Sequence, residues 1–148
     1  MLSRRNLLRG AVALVVLLLA IQLVPYGRDH ADPAVAREPA WDTPATRELA
    51  RAACFDCHSN LTTWPWYSNV APVSWLVQRD VDVGRQVLNF SEWGGAQEVD
   101  DVVEAVQEGS MPPIQYRLLH AGARLSDAQR RELASGLEAT LARSPAAP

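Results

Sequence analysis

Apolar and polar positions divide the 148-residue chain into stretches of different period. From Gly10 to Val24 the residues are apolar, with Gln22 the one interruption, and no polar face can be drawn. Extended by Leu7 and Leu8, with Arg9 reaching toward the headgroups, such a run approaches the length of a membrane-spanning helix. Arg28 to Pro39 then turns polar and proline-containing without any period, which predicts a tether. Thr43 before Pro44 is an N-cap with proline at the first helical position, predicting a helix through Leu49 to about Cys54. Pro65 and Pro72 prevent "NLTTWPWYSNVAPVSW" from being one helix. Val73, Val77, Val81, Gly84 and Leu88 recur at helical spacing and predict a second helix ending near Asn89.

The break "SEWGG" is followed by Val99, Val102, Val103 and Val106, the stripe of a third helix, with Gly109 placed to terminate it. "GSMPPIQY" reads as a loop with no room for a helix start. Ser126 with Gln129 three residues later is a capping box, and it opens a last helix with Leu133, Leu137 and Leu141 on one stripe. No strand-like alternation and no internal repeat is present. The pattern predicts an all-α domain of about four helices over 41–143. An N-terminal membrane anchor or signal over 1–27, a tether over 28–40 and a disordered tail over 144–148 complete the expectation.

Charge orients this arrangement. Arg4, Arg5 and Arg9 precede the apolar run and predict a cytoplasmic N-terminus. The remainder is then expected on the outer, periplasmic face of the cytoplasmic membrane, held by a single pass. The small-residue cleavage pattern Ala34-Val35-Ala36 lies far from the run, so an uncleaved anchor ranks ahead of a cleaved signal, with "SRRNLLR" a minor twin-arginine alternative. Beyond Arg9 there are 11 basic and 17 acidic residues, a net charge of −6. That balance argues against nucleic acid and favours a basic protein patch as partner, or no charged partner at all.

The chemistry concentrates in "ACFDCHS", which holds both cysteines of the chain. Four readings compete. A disulfide across C-x-x-C closes too small a ring to stabilise much. A thioredoxin-type pair needs a βαβ setting, and a structural zinc site needs two more ligands. Covalent haem attachment accounts for all three residues in their order. Cys54 and Cys57, one helical turn apart, match the two vinyl groups on one porphyrin edge, and His58 follows as proximal iron ligand. This reading ranks first and predicts one haem c.

For the opposite axial position, Met111 is the one methionine besides Met1. Core filling is the ordinary use of methionine, but a loop stiffened by Pro112 and Pro113 suits a thioether held in one direction. His120 is the alternative distal ligand, with a structural hydrogen bond as its ordinary role. His30, in the tether, has no expected role. Trp64, Trp66, Tyr67 and Trp75 are candidate haem-pocket walls, with Trp66 or Trp93 alternatively exposed for docking. Arg79, Arg85 and Arg117 are candidates to pair with haem propionates.

"CFDCHSNLTTWPWYSNVAPVSWLVQRDVDVGRQVLNFSEW", followed by "EGSMPPIQYRLLHAGARLS", resembles the small bacterial haem-binding domain family related to monohaem c-type cytochromes. "QLVPYGRDH" is similar to that family's N-terminal pattern, so the resemblance spans about Gln22 to Leu141. It implies a cytochrome c-like helical domain around one haem bound through Cys54 and Cys57, with His58 proximal and Met111 at the methionine position. The family often has proline after the motif histidine where this chain has Ala121 after His120, which weakens a special role for His120. The resemblance supplies no physiological role.

Two functions follow from different classes. One is a membrane-tethered electron carrier with His/Met ligation, matured by the cytochrome c machinery and exchanging electrons with redox proteins. The other is a haem sensor or peroxidase-like enzyme with an exchangeable distal ligand. No distal acid–base pair stands out, so the carrier ranks first and no enzymatic activity is expected.

Overall fold

The computed structural model describes residues 3–94 and 101–144. Seven α-helices follow one another among them: α1 (Arg4–Ile21), α2 (Pro44–Ala53), α3 (Phe55–His58), α4 (Val73–Val87), α5 (Val102–Glu108), α6 (Ile114–Leu119) and α7 (Asp127–Arg143). Short 3-10 turns occupy Trp66–Asn69 and Ala121–Ala123. The described residues contain no strand, only an isolated bridge between Arg37 and Glu92. The all-α expectation holds, with more and shorter helices than the four expected.

The chain forms two compact units, residues 1–30 with 64–80 and residues 31–63 with 81–148. In the first, α1 is capped by the Ser3 hydroxyl, which accepts from the Asn6 amide. Among the described residues no helix is long and apolar enough to cross a membrane, which overturns the expected single-pass anchor and the location built on it. The physical reason is length. Arg4, Arg5 and Arg9 occupy the first turns of an 18-residue helix, leaving an apolar part of about 18 Å against the roughly 30 Å of a bilayer core. The helix stops at Gln22, whose side chain clasps a backbone peptide of the same unit. Its Nε2 donates to the Ala71 carbonyl and its Oε1 accepts from the Ala71 amide, at 2.9 and 3.0 Å.

His30 has no free-tether character either. Its ring stacks on Trp64 at 4.4 Å, and its Nε2 lies 3.1 Å from the Ser68 carbonyl, so it donates there. The expected tether continues bonded within the second unit. The Ala36 and Arg37 amides donate to the Ser91 carbonyl, and the Trp93 amide donates to the Arg37 carbonyl. Glu38 meets the Arg47 guanidinium through both carboxylate oxygens, at 2.6 and 2.7 Å.

In this second unit the caps read from sequence are present. Thr43 Oγ1 accepts from the Thr46 amide, and Ser126 with Gln129 forms the reciprocal capping box. Gly109 ends α5 at φ 75°, a conformation glycine adopts without Cβ strain. Val99, expected in the same helix, lies outside the described residues, as does the tail beyond Ser144. α7 packs on α2 and α5 and buries Leu133, Leu137 and Thr140. The core around it is aromatic. Phe55 and Phe90 pack at 5.6 Å, Trp41 lies 5.2 Å from Phe90, and Trp93 stacks on Phe90 at 6.0 Å.

Candidate functional site

α2 ends at Ala53, and Cys54 caps it with φ −123° and ψ −35° before α3 begins. That kink makes Cys54–His58 a separate turn, in which the Cys57 and His58 amides donate to the Cys54 carbonyl at 3.1 and 2.9 Å. Phe55 points into the core at 1% exposure, which fixes the turn's orientation and leaves the two cysteines half-buried. The thiols are not bonded to one another. Burial, and secondarily the neighbouring Cys57, push the Cys54 thiol up to about 12, so it keeps its hydrogen at neutral pH. An attacking redox thiolate needs the opposite shift. Among the described residues no three His, Cys, Asp or Glu side chains converge on a common point, so nothing completes the pair to a zinc-type donor set.

His58 is oriented by α4. Its Nδ1 lies 3.0 Å from the Gly84 carbonyl and 3.1 Å from the Leu88 carbonyl. Carbonyl oxygens only accept, so the proton sits on Nδ1 and the lone pair on Nε2. Burial lowers the His58 pKa below the ordinary imidazole value, against which the two carbonyls work in part. A neutral ring with Nδ1–H fixed on backbone is the state an iron-ligating histidine requires. The close approach of α4 depends on Gly84, where a Cβ would stand 2.5 Å from the Cys57 carbonyl oxygen. Sequence reasoning saw Gly84 only as a member of an apolar stripe.

The chain after the motif is equally engaged. The Phe90 amide donates to the His58 carbonyl at 2.8 Å. Asn60, 2% exposed, is bonded through its backbone amide to the Ser91 hydroxyl and through its side chain to Glu92 and Asn89. Arg85 donates from Nε to the Ser59 carbonyl, from Nη1 to the Ala31 carbonyl, and from Nη2 to Asp32 and Thr62. These four bonds already engage four of its five N–H groups. Arg117 is different: it is half-buried, and its Nε is out of water with no acceptor. A desolvated guanidinium N–H of that kind suits an anionic group.

Met111 stands in the same unit, just beyond α5, its amide donating to the Ala105 carbonyl at 3.1 Å. At 42% exposure its side chain does not fill the core, which removes the ordinary packing reading. The loop does not continue as expected. Pro113 caps α6, and Ile114–Leu119 is helical where the sequence offered no helix start. Proline is compatible there because a helix's first amides need no intrahelical acceptor. α6 delivers a residue that sequence reasoning missed. The Tyr116 hydroxyl donates to Asp56 Oδ2 at 2.6 Å, between the two cysteines of the motif. Burial first, then the Asp56 hydrogen bond and charge, raise the Tyr116 pKa well above the ordinary phenol value. Asp56 Oδ1 accepts from the Thr63 amide, so both carboxylate oxygens are used. His120, the alternative distal ligand, donates from Nδ1 to the Tyr116 carbonyl at 3.0 Å and stacks on the Tyr116 ring at 3.9 Å.

Trp64, Trp66, Tyr67 and Trp75 belong to the first unit, where Trp66 is 79% exposed. Trp93, the other docking candidate, is 4% exposed and donates its indole N–H to the Ser144 carbonyl, so it is a core residue.

The donor set fits a haem: two thiols one turn apart and not joined as a disulfide, a neutral imidazole with its Nδ1–H on backbone carbonyls, and a desolvated arginine. Comparison with curated proteins and with solved structures gave no match. The family model described as a haem-binding domain matches residues 16–139, and the chain belongs to that family.

Proposed function

We propose that this haem-binding protein carries one covalently attached haem c and serves as an electron carrier. Cys54 and Cys57 would hold the group, each adding its S–H across one vinyl double bond to form a thioether with nothing released. His58 would hold the iron through nitrogen and Met111 through sulfur. The haem supplies one-electron chemistry, while the protein contributes axial donors, a low-dielectric surround and a surface for partners. The observation that carries the reading is His58, whose Nδ1–H is fixed on the Gly84 and Leu88 carbonyls, following two cysteines that are not joined as a disulfide. An exposed methionine on a proline-stiffened segment supports the second ligand. A sulfur ligand raises the potential and closes the iron to small molecules, which favours electron transfer over catalysis. The acidic balance of the chain beyond Arg9 favours redox partners with a basic docking patch.

The test is the mass of the protein produced together with the cytochrome c maturation machinery. The expected mass is that of the chain plus one haem, resistant to denaturation, and Cys54→Ala with Cys57→Ala should abolish it. A wild-type chain of unmodified mass under the same conditions would falsify covalent attachment.

A further inference from the structure

The Tyr116–Asp56 hydrogen bond joins two segments that are distant in sequence. Asp56 lies inside the cysteine motif, and Tyr116 lies on α6, which starts directly after Pro112 and Pro113. The Tyr116 amide donates to the Pro113 carbonyl, so the tyrosine is coupled to the end of the proline pair. His120 holds it from behind by ring stacking and by its bond to the Tyr116 carbonyl. On the other side of the prolines, Met111 is held by its own amide and by the Ser110 hydroxyl, which also donates to the Ala105 carbonyl. Two prolines leave few free torsions between Met111 and the tyrosine. The position of the methionine backbone is thereby referred to Asp56, and through it to the turn that bears the cysteines and His58.

We propose that Tyr116 is a positioning residue for Met111, strapping the Met-Pro-Pro segment to Asp56 within the cysteine motif. The proposal rests on the reading of Met111 as second iron ligand. It gives His120 a supporting role behind the tyrosine rather than a place at the iron. With the strap made, the methionine is presented in one direction and the iron stays closed. With it broken, the segment pivots at its α5 end and the sulfur leaves more often.

The experiment compares Tyr116→Phe, Asp56→Asn and Met111→Ala as holoproteins. The readouts are the far-red sulfur-to-ferric absorption band, the rate of carbon monoxide binding to the ferrous form, and the haem content. Tyr116→Phe keeps the ring and its stacking and deletes only the hydroxyl. It should weaken the band and raise the carbon monoxide rate about tenfold, the worth of one hydrogen bond to a charged acceptor. Haem content should not change. Asp56→Asn retains an acceptor and should give a smaller rise. A band and rate unchanged in both strap variants, while Met111→Ala alters both, overturns the strap and leaves the ligand reading standing. A Met111→Ala protein indistinguishable from wild type overturns the ligand reading and the strap together.

Discussion

The Cys54–His58 turn and the Met111–Pro113 segment belong to the same unit and are built in opposite ways. In the turn, Phe55 is sunk in the core, both oxygens of Asp56 are bonded, and the His58 Nδ1–H is shared by two carbonyls. Phe55, Asp56 and the His58 ring are thus held by the protein itself. At the Met-Pro-Pro segment the methionine is 42% exposed, and its backbone amide is bonded to the Ala105 carbonyl. The difference shows where the protein invests rigidity. The turn with the two cysteines and the histidine is preorganised by packing. The methionine segment is held through a few removable bonds, so on the proposed reading its ligation could be tuned without disturbing the core.

The sharpest way to break that contrast is Gly84→Ala. The new methyl would meet the Cys57 carbonyl oxygen at 2.5 Å, a backbone atom that cannot swing away. Overpacking of this kind costs about 1–3 kcal/mol, and here it should also displace the Gly84 carbonyl that holds His58. Thermal unfolding followed by circular dichroism should show a Tm lower by several degrees, with reduced haem yield. A variant with wild-type Tm and haem content would mean that the turn is not tightly packed after all.

The matching substitution on the other side is Met111→Ala. The lost side chain is exposed, so the urea midpoint of haem-free protein should move by no more than about 0.5 kcal/mol equivalent. The holoprotein, by contrast, should lose its far-red band and drop in reduction potential. A large loss of stability in the haem-free protein would show Met111 to be a packing residue and remove the contrast.

These two substitutions also mark what the sequence could and could not show. Cys54, Cys57 and His58 stand out as candidates because they lie within five consecutive residues. The caps at Thr43, Gly109 and Ser126 are legible for the same local reason. Gly84 is not, because its contribution is the absence of a side chain where α4 crosses the cysteine turn. α6 was hidden because two prolines read as breakers, although Pro113 caps a helix, and six residues are too few to show a period. The Tyr116–Asp56 bond spans 60 positions, and nothing in either neighbourhood announces the other. Gln22 looked like a blemish in an apolar run and is the clasp on Ala71. The aromatic core of the unit that holds the cysteine turn is Trp41, Phe55, Phe90 and Trp93, scattered along the chain, whereas the Trp-rich stretch belongs to the other unit.

A further expected effect concerns the bond between the two contrasted regions. Burial and the Asp56 carboxylate hold the Tyr116 proton more tightly in the folded protein than in the unfolded chain, where a phenol titrates near pH 10. A group with a raised folded pKa contributes stability that is fully present below the unfolded pKa. As pH rises past about 10 the unfolded chain releases the proton while the folded protein retains it, so unfolding becomes easier. The wild type should therefore show a declining alkaline limb, and Tyr116→Phe should lack this part of it. At pH 7 the variant should be the less stable of the two, by about 1 kcal/mol for one lost hydrogen bond. Above pH 10 the gap should narrow. Urea unfolding of both proteins at a series of pH values from 7 to about 11 measures that difference directly, and the contributions of Tyr26 and Tyr67 cancel in it. A gap constant across the series would show that Tyr116 titrates as it does in the unfolded chain, and the bond to Asp56 would then be too weak to tie the methionine segment to the cysteine turn.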